Sequence, residues 1–274
     1  MVSGIRELPS FPQVAMKVLR LVRDPSHTAE ELSAAISFDP GLSGKLLRLC
    51  NSSYYGLRYR VTSIREAIMY LGNRTVMDVV LVSCASDMFR STGVVYFADP
   101  AQLWRHAIGT AFAAELIAQR CEPDLAAMAF TAGLFHDVGK MVLNEHVADR
   151  LKAILVHVAG GASMLDAEHR ELGMNHAEIG AAIAESWSFP DEFVNAIRYH
   201  HDPERAPQEH PLLYCVHVAM LMCHSLLGGA GGDGLVLDAF PKHLNALQLK
   251  AKDFAEMAVQ LEEKVRRAEE FLSI

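Results

Sequence analysis

Apolar residues recur along this chain at three- and four-residue intervals, the spacing that sets one side of an α-helix against a core. No stretch reads as a convincing strand. Pro12 can open a helix over 12–23, with Val14, Val18, Leu21 and Val22 on one side and Asp24-Pro25 as its stop. Thr28 and Glu31 form a capping box for a helix through residue 38. Asp39-Pro40 caps the next, which carries Leu42, Leu46, Leu47 and Leu49. Ser63 and Glu66 make another box on a helix closed by Gly72, and Asn73 caps a more apolar helix to about residue 90. Thr92-Gly93 and Asp99-Pro100 bracket a break. Beyond it a long helix over 102–120, apolar on most sides, is expected to be central, with His106 in its first turns.

The helix bearing His136 and Asp137 follows, then helices over about 146–158 and from Ser163 to a stop at Gly173. Asn175 and Glu178 form a capping box that places His176 in a first turn. Pro190 opens a helix ending near His200-His201, and Pro211 opens one carrying His217 and His224. Residues 228–234 are glycine-rich but lack the lysine and strand context of a phosphate-binding loop, so they read as a linker. Residues 251–272 form a charged amphipathic helix with Phe254, Met257, Leu261 and Val265 on one side. A packed final helix is the plain reading and a partner-binding helix the alternative. The expected fold is all-α in two lobes, a bundle of short helices over 1–95 and a helical domain over 96–274.

Composition narrows the function classes. At 274 residues and 51% hydrophobic, the chain suits one large or two modest globular domains. A net charge of −8 without a basic cluster argues against nucleic acid as a partner. The apolar stretch 76–89 is interrupted by Asp78 and Asp87, and the N-terminus holds Arg6, Glu7 and prolines. Neither a membrane span nor export is expected, which leaves a cytoplasmic protein. The five cysteines form no C-x-x-C pair and read as buried, reduced thiols. His27 is the sole histidine before residue 100, which confines any metal chemistry to the second lobe.

That chemistry centres on residues 132–140, Ala-Gly-Leu-Phe-His-Asp-Val-Gly-Lys. Buried charge is costly unless paired or bound to a metal, so an imidazole and a carboxylate side by side in an apolar helix point to a divalent cation. The candidate ligands are His106, His136, Asp137, His176, His200 and His201. Each histidine alone is more often structural, but the two doublets are harder to dismiss. His200 and His201 also sit at a helix C-terminus, whose partial negative charge favours a cation. Asn51, Tyr54, Tyr55 and Gly56 end the third helix. A helix stop with packed aromatics is favoured there over a recognition loop.

The 132–140 motif resembles the signature of the HD superfamily of metal-dependent phosphohydrolases. Leu8-Pro-Ser-Phe-Pro-Gln, Asp39-Pro-Gly-Leu, Leu46-Leu-Arg-Leu-Cys-Asn51-Ser-Ser-Tyr-Tyr-Gly56 and Ser63-Ile-Arg-Glu-Ala-Ile-Met-Tyr-Leu-Gly72 together resemble the HDOD family, the HD-related output domain. The order His, His-Asp, His, His-His is similar to the two-metal HD-GYP phosphodiesterases. That resemblance implies one or two ions of iron, nickel, zinc or manganese, with Asp137 bridging them. Lys140 would assist at a phosphate, as a catalytic residue only if the protein is active. Where the superfamily's enzymes read Ala-Asp late in the domain, this chain reads Ala219-Met220, and the G-Y-P motif is absent. His217 and His224 share a helical face with Met220 and are possible stand-ins. HDOD proteins are generally regarded as having lost catalysis. The leading expectation is therefore a signalling output module, of the kind attached to two-component response regulators, acting through signalling proteins and binding a metal without efficient catalysis. The alternatives are a phosphohydrolase acting on a nucleotide or cyclic dinucleotide, and a sensor that binds such a ligand or the metal itself.

Overall fold

The computed structural model describes residues 9–24, 26–52, 57–91, 100–146, 150–227 and 240–273. Those residues are overwhelmingly α-helical and contain no strand. They divide into two compact units, one of the described residues within 10–88 and the last turn from 271, the other of residue 9 and the described residues within 89–270.

The smaller unit holds α1 (Gln13–Arg23), α2 (Ala29–Ser37), α3 (Pro40–Cys50) and most of α4 (Ile64–Ser91). Local signals set their starts. Thr28 accepts from the Glu31 backbone N–H while the Glu31 carboxylate accepts from that of Thr28, a complete capping box. Asp39 caps α3 through the Leu42 N–H at 3.0 Å. The buried stripe of α1 is Ala15, Val18 and Leu19. It lies partly round from the expected face, whose Val14, Leu21 and Val22 are half-buried. Asn51 clamps the chain after α3: it accepts from the Val61 N–H and donates to the Val61 and Leu47 carbonyls, each at 2.8 Å. Tyr54, Tyr55 and Gly56 lie outside the described residues, as do Pro25 and the 92–99 break.

Gly72 does stop a helix, but the next begins at once. Its φ of 77° and ψ of 158° belong to glycine, so α4 continues across a kink. Asn73 turns its amide to the His27 ring at 2.8 Å. Within α4 the stretch Ile64–Phe89, whose most apolar window has a mean hydropathy of 1.2, is long and apolar enough by length and composition alone to cross a membrane. More than half of that window is buried within the protein, as in a core helix.

The larger unit runs α5 (Pro100–Cys121), α6 (Ala126–Phe135), α7 (Val138–His146), α8 (Leu151–Ala159), α9 (Met164–Leu172), α10 (His176–Ser186), α11 (Asp191–Arg198), α12 (Pro211–Leu227), α13 (Phe240–Ala246) and α14 (Ala251–Ser273). As expected of an apolar helix, α5 is central and packs on both α6 and α12. A Cβ on Gly133 would come within 2.7 Å of the Thr110 carbonyl oxygen, so glycine is what lets α6 lie against α5. Met257, Leu261 and Val265 of α14 are buried in the same core as Ile117, Phe193 and Val216, which makes it a packed helix. Residues 228–239, with the expected linker, lie outside the described residues.

Candidate metal centre

His136 and Asp137 are not in the middle of a helix as expected. They form a turn between α6 and α7. The physical reason lies one turn on, at Gly139. A Cβ there would run into the His176 carbonyl oxygen and lie 2.8 Å from the Gly180 nitrogen. Backbone meets backbone, α7 is drawn against α10, and the chain must turn at the doublet to get there. The turn carries both side chains into one cluster with His176 and the residues just past the end of α11.

All six expected residues meet there, in two groups that share Asp137. His106, His136 and Asp137 form the first, and Asp137, His176, His200 and His201 the second. Within each group one ligand atom per residue lies within 4.8 Å of the others. The carboxylate faces both ways. Its Oδ2 lies 3.3 Å from His136 Nε2 and 3.8 Å from His106 Nε2. Its Oδ1 lies 3.5 Å from His176 Nε2 and 3.7 Å from His200 Nε2. Apart from partly exposed His201, every one of these side chains is buried.

Three of the five imidazoles are fixed from behind. The Nδ1 atoms of His136 and His200 donate to the Gly133 and Ile197 carbonyls at 2.7 and 2.6 Å. His176 Nδ1 donates to the Glu168 carboxylate at 2.8 Å. An imidazole that donates from Nδ1 presents a bare lone pair at Nε2. His200 Nε2 and Asp137 Oδ1, both acceptors, have no hydrogen-bond partner although fully buried. Such orphans cost roughly 1–3 kcal/mol each, and a cation between them satisfies both. The spacing agrees. His106 and His136 set their Nε2 atoms 3.2 Å apart, and His176 and His201 set theirs 3.0 Å apart. Two nitrogens on one ion, each about 2.1 Å from it, stand roughly 3–3.4 Å apart. The donor set therefore fits a divalent transition ion.

Electrostatics divide the two groups. Burial, reinforced by neighbouring histidines, holds the pKa values of His106, His200 and His201 well below the usual imidazole value, which favours the neutral form of these rings. Burial would lower His176 as well, but Glu168 outweighs it and raises that imidazole. Burial pushes the Asp137 carboxyl up, yet His136 and Lys140 beside it hold it well below the ordinary carboxylate range. Lys140 is fully buried, with its ammonium 2.9 Å from Asp137 Oδ2.

Glu168 escaped the sequence reading. It also accepts from the His176 backbone N–H at 2.7 Å and is 0% exposed. A signal existed: it occupies the apolar stripe of α9, Met164, Ala167, Glu168 and Leu172, where a carboxylate needs a partner. The stand-ins for the late aspartate separate too. The His224 ring centroid is 4.7 Å from that of His106, whereas His217 faces His243 at 4.5 Å. His217 donates from Nδ1 to the His200 carbonyl at 2.6 Å and so braces the second group.

The HDOD domain model matches residues 8–203, well over half of the chain. The chain belongs to the HDOD family. A solved HDOD domain protein of unknown function from Geobacter sulfurreducens superposes with a TM-score of 0.82 at 25% identity, covering 98% of this chain and 95% of that one. A Shewanella amazonensis structure described provisionally as a phosphohydrolase gives 0.76 at 25% identity, covering 98% and 97%. In sequence, an uncharacterised Treponema pallidum protein is 30% identical over 82% of this chain and 44% of its own length. Ribonuclease Y of Aquifex aeolicus is 28% identical over 70% of this chain and 29% of its own length. This HDOD chain thus spans less than half the length of those two curated relatives.

Proposed function

We propose that this HDOD chain is a signalling output module that acts through protein partners and carries one divalent transition ion as a brace, without efficient catalysis. The ion, one of iron, nickel, zinc or manganese, belongs to Asp137 Oδ1, His176, His200 and His201. One observation carries the reading. Lys140 already places a buried cation on Asp137 Oδ2, the oxygen that the His106–His136 group would share. A second dication there would meet that ammonium at close range. The superfamily's late aspartate, which would offset the added charge, is Met220 in this chain, and a thioether is a poor ligand for such ions.

A bound ion would supply Lewis acidity and lower the pKa of a coordinated water. The residues around it do other work. Glu168 and the Ile197 carbonyl fix two imidazoles, His217 holds the His200 backbone, and Gly139 lets α7 meet α10. These contacts suit an ion that ties helices together. Its contribution to stability would be about 2.7 kcal/mol at a free concentration one hundred times its dissociation constant.

The second reading, a phosphohydrolase acting on a nucleotide or cyclic dinucleotide, is favoured by the bidentate reach of Asp137 and by the name of the Shewanella relative, a phosphohydrolase. Chelation combined with turnover assays separates the two. Removing the metal is expected to lower the melting temperature, while cyclic di-GMP, cyclic mononucleotides and a generic phosphodiester show no metal-dependent hydrolysis. Efficient hydrolysis abolished by Asp137→Ala would promote the enzyme reading.

A further inference from the structure

A second pair of histidines stands outside the cluster of six. His217 lies on α12 and His243 on α13, and their rings meet edge to face with centroids 4.5 Å apart. Both are buried, at 4% and 3% exposure. The His217 Nδ1–H is committed to the His200 carbonyl at 2.6 Å, so its Nε2 carries a bare lone pair. That nitrogen has no hydrogen-bond partner, and neither nitrogen of His243 has one. Three buried ring nitrogens thus go unsatisfied in two adjacent side chains, a costly arrangement unless something binds between them.

A carboxylate completes the set. The short 3-10 turn Pro203–Arg205 holds Glu204 beside the pair, with its Oε1 3.9 Å from His243 Nε2. Helix α12 packs against both that turn and α13, so three separate elements each deliver one ligand. Two ligand atoms on one zinc ion stand about 3–3.4 Å apart, and 3.9 Å closes to that with a small side-chain movement. No hydrogen bond holds the His243 ring, which leaves it able to turn a nitrogen toward the ion. Glu204 also meets the Lys242 ammonium at 2.6 Å, but that lysine side chain is 70% exposed. Unlike buried Lys140, it can swing into water when a dication arrives.

We propose that His217, His243 and Glu204 form a separate, exchangeable site for Zn(II), whether or not the His176 group holds an ion. Two imidazoles and one carboxylate, with the fourth position left to water, are a set that zinc accepts. Glu204 is half-exposed and shared with Lys242, so the site is weak and dialysis empties it. The ion ties α13 to α12. On His217 Nε2 it also fixes the tautomer whose Nδ1–H donates to the His200 carbonyl, so zinc bound here steadies the backbone of a residue in the neighbouring cluster.

The test equilibrates the full chain with Zn(II), dialyses it, and titrates it with Zn(II) in a calorimeter. One further ion per chain is expected to bind. His243→Gln should abolish that event and Glu204→Gln should weaken it, while His27→Ala, a histidine of the smaller unit, should leave it unchanged. The number of dialysis-resistant ions should be the same in all four proteins, which separates this site from the cluster around Asp137. Because Glu204 is half-exposed, Glu204→Gln carries the test if His243→Gln fails to fold. Anomalous diffraction at the zinc edge, from crystals soaked in Zn(II), should place the added ion on His217 Nε2 and His243. No further binding event, unchanged affinity in Glu204→Gln, or an added ion bound elsewhere would each overturn the proposal.

Discussion

The two halves of the histidine cluster differ in what stands behind them. Both draw on Asp137, and both set a pair of Nε2 atoms at ligand spacing. Behind the His176 group lies an anion, the buried Glu168 carboxylate, which orients the His176 ring and raises its basicity. Beside the His106 group lies a cation, Lys140, on the oxygen of Asp137 that faces that group. Similar ligand types therefore have opposite electrostatic backing. A list of metal-ligating residues does not give the number of ions; the charges packed against those residues also decide it.

Removing the shared element should have the largest effect. Asp137→Ala strips both groups and takes the carboxylate partner from the buried Lys140 ammonium, a loss of about 3–5 kcal/mol for breaking a buried pair. Urea unfolding and elemental analysis would read it. A destabilisation no larger than that of a surface substitution would break the comparison, because Asp137 would then not hold the two halves together. Next comes the contrast between halves. His200→Ala should empty the protein of metal, whereas His106→Ala should leave its metal content unchanged; the reverse pattern would exchange the roles of the two groups.

Glu168→Gln should act more mildly. The amide oxygen can still accept from the His176 backbone, but the charge behind the ring is gone, so metal affinity should fall by roughly 10–100-fold with the helical content intact. Competition against a chromogenic chelator measures this, and unchanged affinity would reduce Glu168 to a helix cap. Acid should erode the apoprotein gradually. His106, His200 and His201 are held below the unfolded-chain value near 6.5, and burial lowers His217 to about 4. The unfolded chain therefore binds protons that these folded rings refuse. Their contribution to stability is present above about pH 6.5 and is lost as the pH falls toward 4. His176, raised by Glu168, works in the opposite sense as one group against four. Chemical unfolding from pH 7.5 to 4.5 in the presence of chelator would show the slope; stability that rises on acidification would contradict it.

Much of the fold was legible because its signals are local. Thr28 with Glu31, Asn175 with Glu178, Ser163 and Gly173 mark helix ends through contacts only a few residues long. The six residues of the cluster were legible as chemistry, since His-Asp and His-His doublets are hard to place in a core without a cation. The rest depended on contacts between elements distant in sequence. The turn at His136 and Asp137 follows from the backbone contact between α7 and α10, which a glycine permits but does not announce. Glu168 becomes meaningful only beside His176. The rotated face of α1 has the same origin, since small Ala15 is fully buried in a stripe that larger residues seemed to define.

The central claim is that the half backed by Glu168 holds an ion and the half occupied by Lys140 does not. Metal stoichiometry of the full chain tests it most directly. The untagged protein is stripped with chelator, equilibrated with excess Mn(II) or Zn(II), dialysed and submitted to elemental analysis. One ion per chain, lost on His176→Ala and retained on His106→Ala, is the expected result. Two tightly held ions per chain, with one lost on His106→Ala, would contradict it.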